Sequence, residues 1–148
     1  MAASKGSERA LRKRLRAAVQ ELEPRAHVVQ VENPLAGAGT PDTYLCIRGV
    51  GVWMELKHIQ LPKRPTTPLR LDHLRTGQVQ WMAAERRAGG RAWVLLQAGD
   101  MYYLLHPRTA LDVQARKHTA DTLLAASDWH GVTLQAWSLL RTAMEVEV

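Results

Sequence analysis

The chain has 148 residues, 46% of them hydrophobic, which is the length of one domain with enough apolar content to bury a real core and excludes disorder as the default. Its 20 Lys and Arg against 14 Asp and Glu give a net charge of +6, which favours a polyanionic partner reached through phosphate contacts and counterion release. The single Cys46 excludes an intrachain disulfide and, in an apolar run, reads as a buried thiol in a reducing, cytoplasmic setting, while no apolar run approaches the roughly 20 residues of a membrane span.

A helix is expected from Ser7 to Leu22: Ser7 can cap it, Leu11, Leu15, Val19 and Leu22 repeat at helical spacing, and Pro24 stops it. Its other face carries Arg9, Arg12, Lys13 and Arg16. The β-branched run His27 to Glu32 suits a first strand, and Asn33 to Thr40, with Pro34, Gly37 and Gly39, is a loop that delivers the chain to Asp42. Tyr44 to Ile47 and Val52 to Lys57 read as two antiparallel strands joined by a glycine turn across Arg48 to Gly51. Strand alternation sends Val52, Met54 and Leu56 to one face and Trp53, Glu55 and Lys57 to the other, and the hairpin can bring Asp42 beside Glu55.

From there to about Leu74 the chain holds Pro62, Pro65 and Pro68, too many prolines for a helix or a central strand, together with Lys63, Arg64, Arg70 and Arg75. This is a basic loop. Thr76 to Ala88 is helical in pattern and ends at Gly89 and Gly90; Ala92 to Gln97 reads as a buried strand, and Gly99 and Asp100 turn into a strand from Met101 to Leu105. In the tail, Leu111, Leu123, Leu124, Leu134, Trp137 and Leu140 are spaced for two helices with Gly131 between them. The expected fold is α/β, a mixed sheet flanked by helices, with a core over 1–106 and a helical extension over 107–148. The step from Lys57 to Ala92 is long enough for a crossover.

Asp42, Glu55 and Lys57 carry the chemistry. Hydrolysing a phosphodiester needs an activated water, a phosphate held in line and charge neutralised on the leaving oxygen, and Mg2+ can serve all three. One Asp, one Glu and a strand carbonyl such as that of Leu56 suffice for a hard cation that keeps several waters. Lys57 then lies near the attacking water, able to orient it and offset charge on the phosphorus oxygens. An exposed ion pair on an edge strand is the plainer account of the same residues. The six histidines show no close pair at helical ligand spacing, so zinc is not implied, and no glycine-rich phosphate loop occurs, so no nucleotide cofactor is implied. His58 can neighbour the centre. The five tryptophans suit core or subunit contacts, with Trp53 able instead to stack on a base.

The runs Lys5, Gly6, Ser7, Glu8, then Gly39, Thr40, Pro41, Asp42, then Glu55, Leu56, Lys57, with Gln78, Val79, Gln80, Trp81 after them, resemble the PD-(D/E)XK nuclease superfamily. Within it the likeness is to archaeal Holliday junction resolvases and to the virus-type replication-repair nuclease domain, small stand-alone phage versions included, across about residues 5–105. The resemblance implies a restriction-endonuclease-like core in which Asp42 and Glu55 bind metal, Lys57 acts on the water and Gln78 supports the site. Glu8 would be the first-helix acid completing the metal shell, a place for which Glu21 and Glu32 compete. Thr43 departs from the aliphatic residue usual after Pro-Asp, and the tail after Leu105 has no counterpart. The activity implied is that of a Mg2+-dependent endonuclease, with Mn2+ able to substitute, that cuts branched or junction DNA to leave a 5′-phosphate. It would act as a homodimer in the cytoplasm, the host's if the protein is phage-encoded. Arg9, Arg12, Lys13, Arg16, Lys63, Arg64, Arg70 and Arg75 would hold phosphates on either side of the cut. The competing expectations are a catalytically silent DNA-binding scaffold and a sequence-specific restriction-type enzyme.

Overall fold

The computed structural model describes residues 3–31 and 39–145, with the side chains of the first helix described from Glu8 onward. Its order is α1 (Ala3–Leu22), β1 (His27–Gln30), β2 (Thr43–Ile47), β3 (Val50–Ile59), α2 (Thr76–Arg87), β4 (Ala92–Ala98), β5 (Met101–Leu105), α3 (Pro107–Gln114), α4 (Ala120–Ala126), β6 (Trp129–Gly131) and α5 (Trp137–Met144). The strands lie side by side in chain order in one six-stranded sheet. Among them the β3 and β4 pair is parallel and the others are antiparallel, so the fold is the α/β class with a mixed sheet that the sequence predicts.

The hairpin is tighter than the four-residue glycine turn expected. Ile47 pairs with Val50, leaving Arg48 and Gly49 as a two-residue turn with φ of 53° and 81°, the left-handed pair whose twist matches that of the flanking strands. Val50 and Gly51 therefore belong to β3. The long crossover from β3 to β4 carries α2, as a parallel pair requires.

Helices cover both faces of the sheet. On one, Leu11, Leu15 and Val19 of α1 and Leu139 and Leu140 of α5 pack on Val52, Met54, Leu56, Leu95 and Leu104. On the other, Val79 and Met82 of α2, Ala110 and Val113 of α3 and Leu123 of α4 pack on Val94, Leu96, Tyr103 and Leu105. Leu69, Leu71 and Leu74 join this second core. The proline-rich segment is thus a strap with a buried apolar edge, while Lys63, Arg64, Arg70 and Arg75 stay exposed. It is also tied by its backbone: Leu69 N–H donates to the His118 carbonyl at 2.8 Å, and Gln114 Nε2 donates to the Leu74 carbonyl.

Four local expectations change. Helix α1 begins at Ala3, so Ser7 sits within it instead of capping it; the helix starts about two turns before its apolar stripe does. Strand β1 ends at Gln30, although Val31 N–H still reaches the Asp42 carbonyl at 2.8 Å; Glu32 and the loop to residue 38 lie outside the described residues. Cys46 is half-buried. The tail holds three helices and a strand: Gly131 pairs with Tyr102 in β6 instead of separating two helices, and Leu111 is 38% exposed. Three residues are too few for alternation to show, and the strand that β6 joins is distant in sequence. Among the described residues no helix is long and apolar enough to cross a membrane.

Candidate active site

The register of the hairpin builds the site. Thr43 pairs with Met54, so Asp42, one residue before β2, arrives opposite Glu55. Asp42 N–H donates to Glu55 Oε1 at 3.2 Å. Asp42 Oδ1 in turn accepts from Leu56 N–H at 3.3 Å and from Thr43 Oγ1 at 2.9 Å, while Oδ2 meets Arg12 Nη2 of α1 at 3.4 Å. The N–H and C=O of one strand residue point the same way, so the Leu56 carbonyl opens toward Asp42 past the end of β2. Lys57 Nζ lies 3.4 Å from Glu55 Oε2 and donates to the His73 carbonyl at 2.9 Å.

These groups are nearly dry: Glu55 is 4% exposed and Lys57 6%. Burial disfavours the charged form of a carboxyl, and the neighbouring Asp42 charge adds to it against the pull of Lys57, so the Glu55 pKa is pushed up from 4.5 to about 7. Burial likewise raises Asp42, opposed by the Thr43 hydrogen bond, the Arg12 charge, the Leu56 N–H and the Lys57 charge. Two carboxylates meet two cations, Arg12 and Lys57, yet burial and the mutual repulsion of the acids still leave Glu55 reluctant to ionise. The cluster's donors are hard oxygens, and the strained proton affinity of Glu55 is what a divalent cation relieves, so the residues fit Mg2+.

Glu8 is half-buried on α1, and its pKa is raised by burial, then lowered by Lys57 and raised by Asp42, so it shares the field of the cluster. Among the described residues no three His, Cys, Asp or Glu side chains gather closely enough to hold a metal by themselves. The arrangement is a carboxylate pair with Glu8 to one side. Glu21 lines a separate cavity of about 250 Å³ with Arg14 and Tyr102.

Gln78 is buried, but its amide oxygen accepts from Arg75 N–H at 3.0 Å and so closes the start of α2. It holds the end of the strap that contains His73. Alternation puts His58 on the opposite face from Lys57, where burial and then Arg14 lower its pKa. Trp53 packs between Tyr44, with ring centroids at 4.8 Å, and Trp81 at 5.1 Å. The group that sequence reasoning missed is the His73 carbonyl, a backbone atom that no side-chain pattern announces.

Arg9, Arg12, Lys13 and Arg16 line, with Gln30, a groove of about 450 Å³ that reaches the carboxylates through Arg12. Arg16 is anchored to the Val28 carbonyl at 3.1 Å. On the strap, Arg70 pairs with Asp72 at 2.8 Å, and Lys63, Arg64 and Arg75 are exposed.

No family model and no curated protein matches the sequence. Among solved structures the chain is similar to a Holliday junction resolvase from the archaeal hyperthermophile Archaeoglobus fulgidus, at 19% identity and a TM-score of 0.41 over 66% of this chain and 70% of that one. A likeness that slight does not bear on the reaction, for which the side chains themselves are the guide.

Proposed function

We propose that the chain is a Mg2+-dependent nuclease that hydrolyses phosphodiester bonds in DNA, with branched or junction DNA as its substrate. The observation that carries this reading is the meeting of Asp42, Glu55 and Lys57 in a nearly dry corner of the sheet, where Glu55 is held near a pKa of 7. An exposed edge-strand ion pair would show neither the burial nor the shift.

When bound, the cation, Mg2+ or Mn2+, would supply Lewis acidity toward the phosphate and a water of lowered pKa. Asp42 and Glu55 would hold it, with the Leu56 carbonyl beside them and Glu8 adding charge from α1. Lys57 would orient the attacking water and offset charge gathering on the phosphoryl oxygens. Gln78 would act from α2 by fixing the strap. The α1 groove, Arg9, Arg12, Lys13 and Arg16, and the exposed Lys63, Arg64, Arg70 and Arg75 would hold backbone phosphates on the two sides of the cut. Residues 1–106 would form the nuclease core, with 107–148 an extension built onto it. A homodimer would supply two centres for two strands. No nucleotide cofactor enters the scheme, and the cytoplasm is its setting.

A four-way junction, a flap, a single strand and a linear duplex incubated with Mg2+ or EDTA test the reading. Mg2+-dependent cutting that favours the junction and leaves 5′-phosphates is expected. Tight binding without cutting on any substrate would identify a scaffold instead, and cutting of linear duplex at one sequence would identify a restriction-type enzyme.

A further inference from the structure

Three consecutive backbone groups of the strap are each gripped by a side chain from a different element. Lys57 of β3 donates to the His73 carbonyl, Gln114 of α3 donates to the Leu74 carbonyl, and Gln78 of α2 accepts from Arg75 N–H. The strap has no helix or strand of its own here, so its position is set by these grips and by the buried Leu69, Leu71 and Leu74. The His73 carbonyl fixes one of the three N–H donors of Lys57, and Glu55 takes a second. A lysine ammonium on a four-carbon stem has no preferred place of its own, so the His73 carbonyl, together with Glu55, places the ammonium.

We propose that Gln114, at the end of α3, is a positioning residue for the Lys57 ammonium, acting through residues 73–75. Its consequence for the reaction rests on the nuclease reading, whereas its effect on Lys57 does not. The donor comes from the segment after residue 106, which makes the C-terminal extension part of the machinery that aims the lysine. Without the Gln114 donor the Leu74 carbonyl loses its partner, the strap relaxes toward water, and Lys57 loses the carbonyl that holds it.

The test is acylation of individual lysines by a water-soluble reagent, followed by mass spectrometry on the DNA-free full chain, beside steady-state cleavage with Mg2+. Gln114→Met keeps length and volume but cannot donate. The expected result is labelling of Lys57 that rises about tenfold, with Lys13, Lys63 and Lys117 unchanged, and kcat that falls about tenfold at constant KM. Gln114→Lys, which can donate again, should return Lys57 to the wild-type labelling rate. If Gln114→Met does not fold, seen as loss of its cooperative thermal transition, Gln114→Ala is read in the same way. Unchanged Lys57 labelling in a folded variant overturns the proposal, as does a rise with no fall in kcat when the wild type cuts DNA. A selective rise in a protein whose wild type cuts no DNA sinks the nuclease reading and leaves the positioning standing.

Discussion

Glu55→Gln separates the stability of the site from its use. In the unfolded chain the Glu55 carboxyl titrates near 4.5, and in the fold near 7, so between those values the folded state binds the proton more tightly. The sign is therefore fixed: Glu55 costs nothing below about pH 4.5, and the fold loses stability as pH rises through the window to about 7. At about 1.4 kcal/mol for each tenfold change in proton affinity, the loss is about 3 kcal/mol above pH 7. Gln cannot ionise and matches the protonated acid in shape. In EDTA the variant and the wild type should therefore melt alike near pH 4.5, and at pH 8 the variant should melt roughly 6 to 12 °C higher in a chain of this size. Added Mg2+ at pH 8 should stabilise the wild type and close the gap, because a bound cation replaces the missing proton. Thermal melts across pH 4.5 to 8 read this directly. Parallel curves for the two proteins would refute the claim that Glu55 is held uncomfortably charged.

Arg12→Ala should weaken binding to all DNA substrates alike and lower the slope of log affinity against log salt by about 1, measured by anisotropy in Ca2+. Gly39→Ala should cost about 1 to 3 kcal/mol in denaturant melts. Gly39 has φ of 133°, and a Cβ there would sit 2.7 Å from the Gly77 carbonyl oxygen; because that contact seats the approach to Asp42, cleavage should fall as well. Leu71→Ala, at a position 1% exposed, should cost about 2 to 5 kcal/mol by leaving a cavity, which a loop lying loosely on the surface would not show.

The hairpin was legible because two physical periods coincide in it: alternation over Val52 to Lys57 puts Glu55 and Lys57 on one face, and a glycine turn fixes which residue stands opposite. A one-residue slip would have sent Asp42 to the other face. What stayed hidden depends on partners far along the chain. Leu69, Leu71 and Leu74 follow no period and come straight after a proline-rich run, so their burial emerges only in the company of α3 and α4, with which they share a core. Trp129 to Gly131 becomes a strand because β5 leaves an edge for it. The His73 carbonyl and the Leu56 N–H take part through backbone atoms that every residue has. Gln78 was legible only through the resemblance; its burial and its partner, the Arg75 N–H, are matters of helix-end geometry.

The most direct measurement is cleavage of a four-way junction in Mg2+ by wild type and by Lys57→Ala, with binding of both measured in Ca2+ and folding checked by melting. The account predicts cleavage by the wild type, a fall of at least about a hundredfold in the variant, and junction binding within a few-fold of wild type. Undiminished cleavage by a folded Lys57→Ala protein would contradict it.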